Sequence, residues 1–240
     1  MKNIEKLREI IESSRTLCVF TGAGISVPSG IPDFRSANGL YSQNYGSFAP
    51  EEIIFHSFLE KHPDLFYDFY KSKMLYPDAQ PNAAHRYFAG LQTEKRRVPV
   101  VTQNIDGLHQ AAGSREVHEL HGSALRNYCM SCGRRYDMAE ILASPGVPRC
   151  ACGGMIRPDV VLYEEPLDQD VVMHAVGAIR DADAMIIVGT SLAVYPAAMY
   201  VRYFRGRHLV LINRSETPYD HEAELAFHED VIDVVEALEI

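Results

Sequence analysis

The chain of 240 residues has five cysteines, and four of them fall into two close pairs. Cys129 and Cys132 form a C-x-x-C, and Cys150 and Cys152 form a C-x-C with 17 residues between the pairs. Four thiolates so spaced can surround one Zn2+ tetrahedrally. Protein would then fill every coordination position, so the metal is read as structural, since a catalytic zinc keeps a position open. Gly133 and the Gly153-Gly154 pair stand beside the cysteines, where tight turns are expected. Cys18, inside the apolar run TLCVF, reads as a small core residue. A second group of reactive side chains follows the run VPVVT: Gln103, Asn104 and Asp106. Three hydrogen-bonding side chains directly after a buried strand need partners. A ribose and a carboxamide would supply them; capping of a helix over GLHQAA by Asn104 or Asp106 is the other reading. VHELHGS then brings His118 and His121. An imidazole can take a proton near neutral pH and so serve as general base. Spacing does not separate the two in a chain with ten histidines, and His109 and His118 are read as structural. A third group is TGAGISVPSG, in which Gly22 and Gly24 follow the strand TLCVF directly. Glycines there let a backbone approach a phosphate, which the amides of a helix start then face. This is the logic of dinucleotide binding at the carboxyl end of a parallel strand. The full G-x-G-x-x-G is absent, because Val27 stands at its third position, and no acidic residue closes a second strand. A plain strand-to-helix turn is the alternative. Asp33, Phe34 and Arg35 follow on a loop, as a lid over a cofactor or as an ordinary surface Asp–Arg pair.

The elements that must position these groups are short apolar runs: TLCVF at 16–20, VPVVT at 98–102, AMIIV at 184–188 and HLVLI at 208–212, with residues 160–162 as a further one. Helical patterns lie between them at 81–91, 168–179 and 196–204. Strands alternating with helices predict an α/β fold with a parallel sheet covered on both faces. Two stretches break the alternation, about 35–80, rich in aromatics and turn residues, and about 124–157, with the four paired cysteines. Both read as parts of one small module inserted in the sheet domain. The N-terminal MKNIEKLREIIESS places Ile4, Leu7, Ile10 and Ile11 at helical spacing between charges, which predicts an amphipathic helix and not a signal peptide. No apolar run approaches the roughly 20 residues of a membrane span. These features predict a cytoplasmic protein, where thiols stay reduced and clustered cysteines bind metal. The net charge of −9 speaks against nucleic acid as partner. Arg126, Arg134, Arg135 and Arg149, in or near the cysteine module, keep that reading open.

Taken together, GAGISVPSGIPDFR at 22–35, TQNIDGLHQAAG at 102–113, ELHG at 119–122, the four cysteines, GTSLAVYPAA at 189–198 and INRSETPYD at 212–220 resemble the sirtuins, NAD-dependent protein deacylases, over about residues 10–236. YSQN at 41–44 and PNAAH at 81–85 resemble bacterial members. The resemblance implies one catalytic domain over 1–240. Its large Rossmann-like part would take about 1–34, 81–123 and 158–240. A small zinc-ribbon and helical module would take about 35–80 and 124–157, with the active site in the cleft between. It implies NAD and one structural Zn2+ as cofactors, the latter on Cys129, Cys132, Cys150 and Cys152. Gly22, Ala23, Gly24 and Val27 would lie along the cofactor, and Phe34 and Arg35 on its flexible loop. Gln103, Asn104, Ile105 and Asp106 would hold the nicotinamide and its ribose. Gly189, Thr190 and Ser191 would meet the phosphates and adenine ribose, Asn213 that ribose, and Asp230 and Val231 the adenine. His121, assisted by Asn104, would be catalytic. After the acyl oxygen attacks C1′ and nicotinamide leaves, His121 would deprotonate a ribose hydroxyl that attacks the alkylimidate, giving free lysine and O-acyl-ADP-ribose. Val160, Val161 and Leu162 would pair with the backbone of an acyl-lysine protein or peptide. The chain would act as a monomer, without membrane or nucleic acid. A protein mono-ADP-ribosyltransferase using the same NAD site is the alternative activity.

The chain departs from the family pattern at two places. Desuccinylating sirtuins carry Tyr-x-x-Arg in the acyl pocket, where arginine pairs with a carboxylate. Here Tyr67 and Tyr70 occupy those positions, which predicts preference for acetyl and other uncharged acyl groups. The usual F-G-E after the substrate strand is Tyr163, Glu164 and Glu165, which predicts an added charge near the peptide groove and a leaning towards basic flanks.

Overall fold

Six of the strands form the expected parallel sheet. The computed structural model describes residues 2–37, 39–42 and 44–239; Gln43 of the YSQN segment lies outside them. Among the described residues the strands are β1 (Leu17–Thr21), β2 (Val100–Thr102), β3 (Val117–Glu119), β4 (Gly122–Cys129), β5 (Arg135–Tyr136), β6 (Ile156–Val160), β7 (Ala184–Val188), β8 (His208–Ile212) and β9 (Leu225–Phe227). The large sheet has the order β3-β2-β1-β7-β8-β9, and every neighbouring pair in it is parallel. Successive strands step outward from β1 to β3, and the chain then returns to the other side of β1 with β7. The order therefore reverses between β1 and β7, and sheets of this kind form their ligand crevice at the carboxyl ends of the strands at such a reversal.

The helices are α1 (Lys2–Ser13), α2 (Pro50–Ile53), α3 (His56–Lys61), α4 (Pro63–Lys73), α5 (Ala83–Gly90), α6 (Leu108–Ala111), α7 (Met138–Ala143), α8 (Gln169–Arg180) and α9 (Val231–Glu239). Side chains of a strand alternate between faces, and β1 is apolar on both. Leu17 and Val19 join the core under α1, α5 and α9, whereas Cys18 and Phe20 join the core under α8. The N-terminal helix buries Leu7, Ile10 and Ile11 against the first of these cores, worth about 1.5–3 kcal/mol for each side chain. The pattern at 196–204 folds as a 3₁₀ helix, Ala197–Tyr203.

The second sheet is antiparallel, in the order β5-β4-β6. It packs with α2, α3 and α4 around Phe66, Tyr67, Phe69 and Tyr70. The run at 160–162 was expected as another buried strand of the parallel sheet. Instead Val160 ends β6 in this smaller sheet and pairs with Gly122 at the start of β4. The periodicity of a short apolar run does not reveal which sheet it joins.

Candidate active site

The loops after β1 and β7 mesh at the crevice. Gly22 N donates to Val188 O at 3.1 Å and Gly24 N to Gly189 O at 2.8 Å. A Cβ on Gly22 would lie 2.7 Å from Thr190 Cβ, and one on Gly24 2.7 Å from Gly189 Cα. Gly189 has φ +59° and leaves no space for a side chain, since its Cβ would sit 2.4 Å from Ile25 N. Backbone thus approaches backbone where a phosphate-bearing ligand would lie. The turn runs into a 3₁₀ helix, Ala23–Ser29, which includes Val27. Asn82, the N-cap of α5, fixes this helix from outside, its Nδ2 donating to Ile25 O at 2.8 Å and to Ser29 Oγ at 2.9 Å.

The polar residues after β2 reach the same place. Gln103 Nε2 donates to Thr190 Oγ1 at 3.1 Å and so links the ends of β2 and β7. Asn104 Nδ2 donates to Ser26 Oγ at 3.1 Å, and Ser26 Oγ donates to Asp106 Oδ2 at 2.7 Å. The other oxygen of Asp106 accepts from Leu108 N at 2.9 Å, at the first residue of α6, whose N-cap is Gly107. Burial pushes the Asp106 carboxyl up, against the hydrogen bonds from Leu108 and Ser26. Ile105 O accepts from Ala124 N at 2.9 Å and ties this segment to β4. Ser26 joins Asn104 to Asp106, and the sequence reading did not single it out. Its partners lie 78 and 80 positions away, beyond any local signal.

His121 stands between β3 and β4, next to this cluster. Its Nδ1 lies 2.9 Å from Gln103 O. A carbonyl only accepts, so Nδ1 carries the proton and Nε2 of the neutral ring keeps its lone pair. Burial lowers the His121 pKa below the ordinary 6.5, partly offset by the carbonyl. His121 O accepts from Val161 N at 3.0 Å, which joins the histidine to the 160–162 segment. The two histidines read as structural are engaged elsewhere. His109 is buried under β1 with Nε2 3.0 Å from Thr21 Oγ1, and His118 Nε2 lies 3.1 Å from Glu116.

The 160–162 segment is held by a largely buried ion pair. Arg157 meets both oxygens of Glu165, at 2.6 and 3.1 Å. Arg157 also donates to Val160 O at 3.0 Å, and Glu165 accepts from Leu162 N at 2.8 Å. Glu164 has φ +76°, the left-handed region that favours glycine. Its carboxylate accepts from Ser57 N at 2.9 Å, in the first turn of α3. The carboxylate thus sits at a helix start and keeps its charge at the exposed surface. Tyr67 and Tyr70 are both fully buried in the small-module core, with Tyr67 Oη donating to Ile156 O at 2.5 Å. Asp33 and Arg35 have different partners: Asp33 accepts from Ser36 N at 2.9 Å, while Arg35 lies over the Tyr41 ring at 5.5 Å and reaches Glu51 at 3.7 Å. Phe34 packs on the same Tyr41, ring centroids 5.4 Å apart.

The four paired cysteines converge. Their sulfurs all lie within 4.8 Å of one another, with Cys129–Cys152 at 3.5 Å and Cys132–Cys150 at 3.6 Å. These separations are too long for a disulfide and close to the edge of about 3.8 Å of a tetrahedron with Zn–S bonds of about 2.3 Å. Gly133 and Gly153, with φ +71° and +86°, turn the chain after each pair. Backbone N–H groups of Ser131 and Cys152 point at Cys129 Sγ and Cys150 Sγ, as thiolates require. The cluster therefore fits one zinc ion. Arg126 is paired with Glu119 and Asp159, at 2.6 and 2.9 Å.

At the other end of the crevice, Asn213 follows β8, with Nδ2 donating to Ser215 O at 2.7 Å. Asp230 precedes α9 and caps it through Ile232 N at 2.9 Å, with Val231 opening the helix. Ser191 is exposed beside Thr190.

The match to known proteins covers this whole arrangement. The Sir2 family model matches residues 22–196. An NAD-dependent protein deacetylase of Clostridium perfringens is 54% identical over 231 residues, 95% of each chain. One of Cutibacterium acnes is 53% identical over 226 residues, 94% of this chain and 93% of the relative. A solved Sir2–p53 peptide–NAD+ complex has a TM-score of 0.85 at 40% identity, covering 98% of this chain and 97% of that one. Sir2Tm bound to a propionylated peptide also gives 0.85, at 39% identity, covering 100% and 98%. The chain belongs to the Sir2 family.

Proposed function

We propose that the chain is an NAD-dependent protein-lysine deacetylase, active on acetyl and other uncharged acyl groups, that releases nicotinamide and O-acyl-ADP-ribose. The observation that carries the reading is the His121 imidazole. Its Nδ1 is fixed on the carbonyl of Gln103, the neighbour of Asn104, and its Nε2 keeps the lone pair of a base. NAD supplies an electrophilic ribose carbon and a good leaving group. Gly22, Ala23, Gly24, Val27, Gly189, Thr190 and Ser191 would hold its phosphates; Asn213, Asp230 and Val231 its adenosine; Gln103, Asn104, Ile105 and Asp106 its reactive ribose and nicotinamide. Phe34 and Arg35 would cover it. Orientation matters because an amide oxygen is a weak nucleophile. Asn104, steadied by Ser26, would fix the ribose, and His121 Nε2 would accept the proton of a ribose hydroxyl.

The acyl-lysine would enter between the parallel-sheet part (about 1–34, 81–123 and 158–240) and the small module (about 35–80 and 124–157), whose apolar cores are separate. Val160, Val161 and Leu162 would meet its backbone. Tyr67 and Tyr70 would stand behind the acyl end, within the module core, without offering the cation a succinyl group needs. The zinc would brace the module and take no part in the reaction. All these residues come from one chain, so a monomer suffices, and four reduced thiolates suit the cytoplasm. The test is mass spectrometry of an acetyl-lysine peptide incubated with NAD. Nicotinamide, free lysine and O-acetyl-ADP-ribose are expected, with succinyl-lysine turned over more slowly. Label from NAD left covalently on protein, without these products, would refute the proposal.

A further inference from the structure

A dinucleotide laid across the β1/β7 switch places one mononucleotide on each side of it. The catalytic cluster after β2 lies on one side, so the adenosine half belongs over β7 and β8, where Asn213 ends β8. In most such folds a carboxylate at the second strand selects NAD by accepting from the ribose 2′-hydroxyl, and an arginine nearby admits a 2′-phosphate instead. This chain has no such carboxylate, and the residue after Asn213 is Arg214. On that count the site should admit the phosphorylated cofactor.

The structure changes the balance in two ways. One of the two N–H donors of Asn213 Nδ2 is taken by Ser215 O, and Oδ1 stands as an acceptor for a hydroxyl. A phosphate dianion offers acceptors only. Arg214 is also not free: its guanidinium is bound by Asp230 Oδ2. The other oxygen of Asp230 is fixed on Ile232 N at 2.9 Å, so the carboxylate cannot swing away without uncapping α9. Residues 213–230 carry six carboxylates against this one arginine. His228 is matched as well, with Nε2 3.1 Å from Asp220.

We infer that the Arg214–Asp230 ion pair makes the adenosine end of this site select NAD over its 2′-phosphorylated form, NADP. Asp230 cancels the one arginine that would otherwise pair with the extra phosphate. The inference rests on reading the crevice as a dinucleotide site. The test is calorimetric titration of the full chain with NAD and with NADP, for wild type, Asp230→Asn, Arg214→Ala and the double variant. Asparagine keeps an N-cap acceptor for Ile232, so α9 stays capped. Asp230→Asn should narrow the NAD:NADP affinity ratio by about tenfold, as one freed arginine meets the phosphate. Arg214→Ala, which leaves the Asp230 carboxylate unpaired, should hold or widen the wild-type ratio, and the double variant should return to about the wild-type ratio. An unchanged ratio in Asp230→Asn, or a narrowed ratio that survives in the double variant, overturns the inference while NAD still binds. A wild type that binds neither dinucleotide overturns the dinucleotide reading and the inference with it.

Discussion

His121 gains its role from one backbone carbonyl. Gln103 O fixes the tautomer, so Nε2 is the basic nitrogen. Burial adds a second effect by disfavouring the imidazolium. The sign is simple: a lowered pKa keeps the base neutral further into acid. The acid limb of kcat/KM should therefore bend below pH 6.5, the ordinary histidine value. A pH–rate profile that bends above that value would contradict the account. Much of the site at this scale could be read from residue type, because polar groups directly after an apolar run need partners. Ser26 could not, since only folding brings it to Asn104 and Asp106. Nor could the engagement of Glu164, whose partner Ser57 lies 107 positions away.

At the scale of elements, the meshed glycines and the thiolate cluster make opposite demands on the chain. The glycine crossing is intolerant of added volume. Gly24→Ala sets a methyl 2.7 Å from Gly189 Cα, and overpacking of this kind costs about 1–3 kcal/mol. Weakened NAD binding in calorimetry and a lower melting temperature are expected together; wild-type values for both would show that the loops do not pack as described. The thiolate cluster depends on its metal instead. A chelator should expose four titratable thiols and melt the module, with deacetylation falling in step. Activity that survives full metal removal would show that the zinc is dispensable. β7 and β8 were legible to the residue, since each is a five-residue apolar run. β3 and β9, three residues each at the edges of the sheet, carry too little pattern to be seen. The 3₁₀ form of Ala23–Ser29 follows from packing against Gly189 and from Pro28 within it, and no periodicity predicts it.

For the whole molecule, two buried histidines contribute to the response to acid. Burial holds His85 at about 4 and His109 at about 3, both below the ordinary 6.5. Between these values the unfolded chain binds protons that the folded chain refuses. Stability is therefore full above pH 6.5 and falls as pH drops towards 4, by up to about 1.4 kcal/mol per pH unit for each ring. Urea unfolding across that range should show the slope, and His109→Leu should reduce it; a flat profile would contradict it. The same global arrangement brings residues from three separate strand ends to one crevice. The central claim about that crevice is that His121 is the base. The most direct measurement is the mass spectrum of an acetyl-lysine peptide and NAD incubated with wild type and with His121→Ala. The account predicts O-acetyl-ADP-ribose from wild type and a loss of about 10²–10⁴-fold in the variant, with NAD still bound. A variant that forms the product at close to the wild-type rate would contradict it.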